Sequence, residues 1–290
     1  MTDGHDLRQM SAESVEHLRR SGPAPAVGAP PAAPRPSATV VLLRDAPGGP
    51  EAYLLRRVAT MAFAAGMYVF PGGSVDPRDA DLPPDLWVGP DPDALTGPLS
   101  ADLGSARALV CAAVRETFEE SGVLLAGPSA DEVVADTTSD GWEADRLALL
   151  SGELSISSLL SARRLVLRAD LLRPWAHWIT PEISARRFDT RFFVAALPAG
   201  QLTRDVGGEA DRVLWATPAS ALDGKARGEV QMLPPTAFTL AELAGFGSVA
   251  EVLEAGSARR ISPVLPRVVP GAGGEPRLLL PGDAGYADAG

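Results

Sequence analysis

The sequence has little cysteine and no long apolar run: Cys111 is its one cysteine among 290 residues. A single cysteine excludes a framework of intramolecular disulfides and is typical of a reducing compartment such as the cytoplasm. No stretch reaches the roughly 18 consecutive apolar residues that a membrane helix needs. Residues 1–20 carry four acidic side chains and no apolar core, so we expect neither a signal peptide nor a transit peptide. The sequence therefore predicts a cytoplasmic protein without a membrane partner.

Basic residues are also scarce. The chain has 26 Lys and Arg against 37 Asp and Glu, a formal net charge of −11 at pH 7. So negative a surface disfavours non-specific binding to nucleic acid or anionic lipid. It does not exclude a small anionic ligand that is bound through a few local arginines or through a metal ion.

Glycine and proline are abundant, at 29 and 27 residues, and much of the proline is concentrated in two places. Six prolines interrupt residues 21–36, so we expect residues 1–36 to form a disordered, Ala/Pro-rich segment. Residues 76–104 are dominated by Asp, Pro and Gly and predict a long loop. The remainder, 37–286, is expected to form a single domain, with a loop insertion at 80–107 and a C-terminal hairpin or tail at 256–286.

The spacing of apolar residues in this domain predicts strands with interspersed helices. The predicted strands are 38–45, 51–58, 67–73, 175–180, 190–197 and 212–217. The predicted helices are 105–121, 142–172, 236–244 and 248–255. Several of the strands are expected to be antiparallel, so the sequence predicts a mixed α/β sandwich rather than a doubly wound parallel sheet.

Three glutamates crowd one side of the predicted helix at 105–121. Glu116 and Glu120 are four residues apart and therefore share a face, and Glu119 is the neighbour of Glu120. Like charges at this spacing repel one another, and a divalent cation such as Mg²⁺, which prefers oxygen ligands, would remove the repulsion. The helix alone leaves a second interpretation open, a solvated acidic face.

A glycine turn, FPGGSVDPRD at 70–79, precedes this helix, and the helix itself carries RETFEESGV at 115–123. Together they resemble the Nudix box, G-x5-E-x7-R-E-U-x-E-E-x-G-U, in which U is an aliphatic residue. The matching positions are Gly73, Arg115, Glu116, Glu119, Glu120, Gly122 and Val123. The resemblance implies a Nudix-type α/β/α sandwich with a mixed sheet, and it implies hydrolysis of a diphosphate that is linked to another group.

The chain departs from the family pattern at three points. Asp79 stands where the family has glutamate, and Thr117 stands where an aliphatic residue is usual. Between Asp79 and Arg115 lie 35 residues, 80–114, where the family has seven. We therefore expect an insertion inside the Nudix box, which must return the chain so that the turn and the helix still meet.

The resemblance also implies the roles of the residues. Mg²⁺ or Mn²⁺ would be held by Glu116, Glu119 and Glu120 and would act on a small-molecule diphosphate. Glu119 and Glu116 are the implied catalytic glutamates, and Arg115 would orient one of them rather than touch the substrate. A homodimer is compatible with the family.

Three further segments bear on the substrate: AAGMYVFPGGSVD at 64–76, HWITPE at 177–182 and QMLPPTAFTL at 231–240. They resemble the Nudix branch that includes peroxisomal acyl-coenzyme A diphosphatases and their bacterial relatives. Ala62 replaces the arginine that a coenzyme A signature places four residues before Gly66. Coenzyme A or acyl-CoA is the favoured substrate, and NADH, ADP-ribose or nucleotides are the alternatives. A non-catalytic Nudix-fold module, nucleotide-binding or regulatory, is the alternative of another class; the retained carboxylates favour the enzyme.

The remaining candidates lie on the turn and on the strands. Gly72 and Gly73 would let the backbone approach a phosphate closely, and Arg57 and Arg187 would bind its charge. The alternative for both arginines is a structural ion pair. Two more carboxylates are candidates for an additional base or metal ligand: Glu209 and Asp79.

Overall fold

The computed structural model describes residues 7, 15, 18, 30–58, 64–204, 210–271 and 273–287. Its strands, in chain order, are β1 (Arg35–Ala46), β2 (Gly49–Arg57), β3 (Tyr68–Val69), β4 (Gly72–Ser74), β5 (Trp87–Val88), β6 (Ala126–Gly127), β7 (Val166–Arg168), β8 (Arg173–Ile179), β9 (Phe188–Ala196), β10 (Ala210–Ala216), β11 (Pro263–Val264), β12 (Arg267–Pro270) and β13 (Pro276–Leu279). The α-helices are α1 (Pro92–Leu99), α2 (Leu103–Ser121), α3 (Asp140–Leu150), α4 (Ile156–Arg163), α5 (Pro218–Ala226), α6 (Pro234–Leu243) and α7 (Val249–Ala258).

The main sheet is mixed, as predicted. Its path through the described residues is β10-β2-β1-β9-β8-β11, with β3 paired to β2 and β4 paired to β1. Strand β1 runs parallel to β9 and antiparallel to β2, and β11 runs parallel to β8. The predicted strands at 38–45 and 51–58 are confirmed as β1 and β2, which form an antiparallel hairpin, and both begin earlier than predicted.

Helices cover both faces of this sheet because β1 is apolar on both sides. Val40 and Leu42 belong to the core beneath α2, whereas Val41 and Leu43 belong to a second core beneath α6 and α7. Side chains alternate between the two faces of a strand, so a continuous apolar run feeds both cores. The predicted α/β/α sandwich is confirmed.

Helix α2 is the central helix of the fold. The side chain of Asp102 caps its N-terminus by accepting a 2.8 Å hydrogen bond from the Ser105 amide. Gly122 ends it in the left-handed region, with φ of 73°. The predicted helix at 105–121 is therefore confirmed, and it begins two residues earlier than predicted.

The prediction of a loop at 80–107 is wrong. Two short 3-10 turns, Pro77–Asp81 and Pro84–Leu86, lead into β5 and α1, and residues 103–107 already belong to α2. Proline at the first position of α1 has a dihedral angle that suits a helix start, and the side chain of Asp91 accepts a 2.9 Å hydrogen bond from the Asp93 amide. Proline and aspartate are typical of loops, but in this segment they stabilise the start of a short helix.

Two other boundaries differ from the sequence prediction. The region 142–172 holds two helices, α3 and α4, and strand β7. The chain bends between the helices at Gly152, whose φ is 75°. Helix α5 has no counterpart in the prediction. The predicted C-terminal hairpin is confirmed as the antiparallel pair β12–β13, although residues 256–258 belong to α7.

The N-terminal segment 1–36 lies mostly outside the described residues. Two of its described residues, Val15 and Leu18, are buried against Leu278 of β13. Among the described parts of the chain, no helix combines the length and the apolar character that crossing a membrane requires.

Candidate active site

The last turns of α2 bring the three predicted glutamates together beside β4. The side chains of Glu116 and Glu119 are only 12% and 7% exposed, and Glu120 is buried as well. Burying several carboxylates on one helix is costly unless each is paired or hydrogen-bonded. This group is therefore not a solvated acidic face, and its partners determine what it does.

Arg115 connects the acidic side chains. Its Nη1 donates to Glu116 Oε1 over 2.8 Å and to Glu119 Oε1 over 3.2 Å. Its Nη2 donates to the carbonyl oxygen of Ser74, at the end of β4, over 2.9 Å. Although burial opposes its charge, the hydrogen bond to Asp79 and the nearby carboxylates raise the pKa of Arg115. One guanidinium thus orients two glutamates and fixes α2 against the glycine turn.

Asp79 lies behind Arg115. Its two carboxylate oxygens accept from Arg115 Nε over 3.0 Å and from Nη2 over 2.9 Å. The Asp76 amide donates to the same carboxylate over 2.8 Å, and only 1% of the Asp79 surface is exposed. Asp79 does not line the cavity described below, so the structure gives it a partner in Arg115 rather than a position facing a ligand.

The two glycines of the turn are required by close contacts. A Cβ on Gly73 would lie 2.4 Å from Glu116 Oε1, and a Cβ on Gly72 would lie 2.5 Å from the carbonyl oxygen of Ala38. The Gly72 amide donates to Glu120 Oε2 over 2.7 Å. The turn therefore touches two of the three glutamates directly.

The surroundings of the three glutamates favour the binding of a cation. Burial raises the pKa of the Glu116 carboxyl to about 7; Arg115 opposes this rise and the neighbouring Glu119 adds to it. A positive charge would lower the free energy of these ionised carboxylates.

Thr117, the departure from the aliphatic position of the box, is completely buried. Its hydroxyl donates to the carbonyl oxygen of Ala113, one turn earlier in α2, over 2.7 Å. The hydroxyl is therefore satisfied within the helix, which explains how a polar residue is tolerated at this site.

A cavity of about 450 Å³ opens beside the glutamates, a size typical of small-molecule sites. Its acidic end is formed by Glu116, Glu119 and Glu120 together with Gly72 and Gly73. The rest of its wall is mostly apolar. The predicted glutamates and glycines thus lie together at one end of a single cavity.

The other candidates are distributed differently. Arg57 lines the cavity. Arg187 is buried and does not line it: its guanidinium donates to the carbonyl oxygens of Thr180 and Ala32, over 3.0 and 2.8 Å. Its role here is to hold the backbone. Glu209 lies outside the described residues.

One cavity-lining residue that the sequence did not predict is Arg146 of α3. It lines the cavity, is 1% exposed, and donates from Nη1 to the carbonyl oxygen of Glu119 over 2.9 Å. Arg146 also forms an ion pair with Glu143 within α3. The sequence gives no local sign of its position in the cavity, because the carbonyl oxygen of Glu119 is 27 residues away.

His177, between two tryptophans, is not among the residues that line the cavity. It is buried, and its Nε2 lies 2.5 Å from Asp189 Oδ1, so it is a packed, hydrogen-bonded histidine. Of the tryptophans, Trp178 lines the cavity, whereas Trp175 is a core residue. Cys111 is fully buried, and burial raises the pKa of its thiol.

The donor set at the acidic end suits a hard divalent cation. Within the described residues, no group of three or more His, Cys, Asp or Glu side chains forms a ready metal cage. Mg²⁺ does not need such a cage, since it usually binds one or two carboxylates and completes its shell with water and substrate phosphates. Glu116, Glu119 and Glu120 fit this requirement.

Comparisons with known proteins identify the family. Residues 93–243 match the family described as the NUDT19 Nudix domain. The chain is similar to the acyl-coenzyme A diphosphatase NUDT19 of Gallus gallus, with 30% identity over 304 aligned positions that cover 88% of this chain and 80% of that protein. It is also similar to the NUDT19 protein of Xenopus laevis, with 28% identity over 70% of this chain, and it spans 62% of the length of that relative.

A solved structure shows the same likeness in three dimensions. The NUDIX hydrolase from Alicyclobacillus acidocaldarius superposes with a TM-score of 0.64 at 29% sequence identity. The match covers 77% of this chain and 96% of that structure.

Proposed function

Because the chain belongs to the Nudix hydrolase family, we propose that it hydrolyses the diphosphate linkage of coenzyme A or of an acyl-coenzyme A. The observation that carries this proposal is the convergence of three glutamates of α2 with the glycine turn at one end of a cavity. The names of the Gallus and Xenopus relatives support this substrate class.

In this proposal Glu116, Glu119 and Glu120 hold Mg²⁺ or Mn²⁺. A divalent cation bound there would supply Lewis-acid stabilisation of the negative charge on the diphosphate. Arg115 keeps Glu116 and Glu119 in place by its hydrogen bonds, and so is a positioning residue.

The backbone and the cavity wall orient the remaining groups. The Gly72 amide orients Glu120 through its hydrogen bond. Arg57, on the cavity wall, provides a positive charge that would bind a phosphate oxygen of the substrate. Glu209 remains a candidate for the general base, and Asp79 would act through Arg115.

The experiment incubates the protein with Mg²⁺ or Mn²⁺ and a panel of CoA, octanoyl-CoA, NADH, ADP-ribose and nucleoside triphosphates. We expect CoA to yield adenosine bisphosphate and phosphopantetheine, and octanoyl-CoA to yield adenosine bisphosphate and octanoyl-phosphopantetheine; mass spectrometry separates these products. Preferred turnover of NADH, ADP-ribose or triphosphates would replace the proposed substrate. A protein that binds nucleotides without any metal-dependent turnover would be a binding module.

Two matched variants test whether turnover depends on the proposed metal site. Glu119→Gln removes a charge from the proposed metal site, and we expect turnover to fall about 100-fold or more. Glu229→Gln makes the same change on the surface, where Glu229 pairs with Arg227 and both side chains are more than half exposed. This control should keep its activity. Equal turnover by Glu119→Gln and the unchanged protein would contradict the assignment.

We also propose where the protein is located in the cell and how it assembles. A lone buried cysteine suits a reducing compartment, so we infer a cytoplasmic enzyme; fractionation of the producing cells tests this. A homodimer without a nucleic-acid partner is the assembly we propose, and sedimentation of the purified protein with and without DNA measures both points.

A further inference from the structure

The C-terminal end of α2 carries two of the proposed metal ligands and has little support of its own. The last four carbonyl groups of a helix have no partner within it, and the helix dipole places partial negative charge there. Glu119 and Glu120 add two carboxylates to this end, and the last turn, Phe-Glu-Glu-Ser at 118–121, contains no basic side chain. Donors from other parts of the chain therefore have to hold this backbone.

Arg146 of α3 is one of these donors. Its Nη1 donates to the carbonyl oxygen of Glu119 over 2.9 Å, and only 1% of Arg146 is exposed. Arg115 donates to the carboxylate of the same glutamate, over 3.2 Å to Oε1. Glu119 is thus held at its backbone and at its side chain, each time by a buried arginine.

Glu143 sets the direction of the Arg146 guanidinium. Its two carboxylate oxygens accept from Arg146 Nε over 3.0 Å and from Nη2 over 2.6 Å, one turn away on the same helix. Since a guanidinium is planar and rigid, fixing these two nitrogens also fixes the direction of Nη1 toward Glu119. The pair carries no net charge, so we expect its effect on the metal site to be mainly geometric.

The same carboxylate contacts a second arginine. Arg204 Nη1 donates to Glu143 Oε2 over 3.2 Å, and the Arg204 amide donates to the carbonyl oxygen of Ser121 over 3.0 Å. A Cβ on Gly122 would lie 2.8 Å from Arg204 Nε, so the guanidinium lies close to the end of the helix. Glu143 thus connects two arginines that each donate to a carbonyl group in the last turn of α2.

An aromatic contact packs α3 on α2 independently of these arginines. Trp142 of α3 and Phe118 of α2 meet edge to face, with ring centroids 6.0 Å apart. Removing the Arg146 side chain should therefore leave α3 in place and release mainly the Glu119 carbonyl.

We propose that Arg146 is a positioning residue for the metal site and that Glu143 orients it. The inference rests on the proposed function, in which Glu119 and Glu120 are metal ligands, and it adds that α3 controls the affinity for the metal through the backbone of α2. Arg146 also lines the cavity, so direct binding of a substrate phosphate is the alternative role. The first role changes metal binding, whereas the second changes substrate binding.

The test measures Mn²⁺ binding to the full chain without substrate, from the EPR signal of free Mn²⁺. Glu119→Gln defines the binding that remains elsewhere on this acidic protein. Changing a group that orients a metal ligand typically weakens metal affinity about 10- to 100-fold, and we expect about 10-fold weaker binding in Arg146→Met. Removing a positive charge without a change in geometry would instead strengthen the binding of a cation, so the direction of the change is informative.

A double variant removes this effect of charge. Glu143→Gln combined with Arg146→Met loses one charge of each sign, and we again expect about 10-fold weaker Mn²⁺ binding. Glu143→Gln alone should weaken binding by a smaller factor, because the bond from Arg146 to Glu119 remains but is no longer oriented. The Glu143 side chain is 37% exposed, so this variant decides the question if Arg146→Met does not fold.

Asp145 and Arg163 provide the matched control. They form an ion pair between α3 and α4, and Arg163 also donates to a backbone carbonyl group, that of Gly141. Neither is among the residues that line the cavity. Arg163→Met, alone or with Asp145→Asn, should bind Mn²⁺ like the unchanged protein. Thermal melts show which variants are folded at the temperature of the measurement.

Turnover distinguishes the two roles of Arg146. At saturating Mn²⁺ we expect Arg146→Met to keep the KM for the diphosphate substrate within about twofold. A raised KM together with unchanged Mn²⁺ affinity would assign Arg146 to the substrate and overturn the positioning role. Unchanged or tighter Mn²⁺ binding in Arg146→Met, an equal loss in Arg163→Met, or no Glu119-dependent binding by the unchanged protein would overturn it as well.

The positioning role and the proposed function can fail separately. Mn²⁺ binding that weakens as expected, without hydrolysis of any member of the substrate panel, would reject the proposed function alone. Hydrolysis of coenzyme A or its thioester, with Mn²⁺ binding that does not depend on Arg146, would reject the positioning role alone.

Discussion

Arg115 and Asp79 form a two-pronged ion pair, with N–O distances of 3.0 and 2.9 Å, across the insertion that separates them in the chain. Both residues are buried, and the pair joins the 3-10 turn after β4 to the middle of α2. The insertion can therefore lengthen without changing the site, because the two halves of the Nudix box are connected by side chains. An aspartate in place of the family's glutamate still reaches the arginine.

Removing this arginine should destabilise the fold. Arg115→Met would leave the Asp79 carboxylate buried without its cation, and breaking a buried pair typically lowers the free energy of unfolding by about 3–5 kcal/mol. Urea denaturation in EDTA measures the change. Arg78→Met is the matched control, because Arg78 pairs with Asp76 near the surface, where such a pair is worth about 0–1 kcal/mol. Equal losses in the two variants would contradict a special role for Arg115.

Changing each glycine of the turn to alanine should impair a different property, activity at Gly73 and stability at Gly72. In Gly73→Ala the new methyl meets the flexible end of Glu116, so the carboxylate moves and the fold survives. A displacement of about 1 Å in a catalytic group can cost about 100-fold in rate, and we expect kcat to fall by that order with little change in Tm.

In Gly72→Ala the methyl meets the backbone carbonyl of Ala38, which cannot move alone, so Tm itself should fall. Gly97→Ala is the control, since a Cβ there has no neighbour within 4 Å and Gly97 lies in α1. Activity assays and thermal melts of the three variants check the contrast. A fall in Tm for Gly73→Ala as large as that for Gly72→Ala would show that the Glu116 contact is structural.

Cys111 should behave as a reporter of unfolding. Only the thiolate reacts with a disulfide reagent, and burial in the core beneath α2 both raises the pKa of this thiol and blocks access to it. We expect labelling of the native protein at pH 8 to be at least about 100-fold slower than labelling in urea. Ser220→Cys adds an exposed thiol on α5 as an internal control and should react at once. Rapid native labelling at Cys111 would mean that the core beneath α2 opens readily.

The sequence was sufficient for the parts of the site that are close together in the chain. Glu116, Glu119 and Glu120 share a helix, and helical spacing alone places them side by side. Gly73 is part of the same recognisable motif. The Cβ clash that makes this glycine necessary became visible only when the turn and the helix were brought together.

The parts that the sequence did not predict depend on pairs of residues that are far apart. Parallel pairing of β1 with β9 joins residues more than 150 positions apart, and Leu278 reaches the cavity from the C-terminal hairpin. No local pattern encodes such contacts. Helix α1 was missed for a different reason, because its proline and aspartate serve as helix starts and are equally typical of loops.

A buried arginine connects helix α1 to the sheet. Arg191 of β9 donates to the carbonyl oxygens of Leu99 and Ser100 at the C-terminus of α1, over 2.9 and 3.1 Å, and it forms an ion pair with Asp189. Arg191→Met removes these two charged hydrogen bonds. We expect local opening of α1 to become easier by about 2–3 kcal/mol, which is about 30- to 150-fold faster amide exchange over residues 92–101.

Hydrogen exchange with mass spectrometry resolves this region from the C-terminal hairpin, where exchange should stay unchanged. The exposed Arg227→Met serves as the matched control. Because Asp79 and Arg115 connect the site independently of α1, turnover should fall far less than the protection of α1. If exchange over residues 92–101 is unaltered, the apolar contacts of Leu99 hold α1 by themselves, and the arginine is not what docks the insertion.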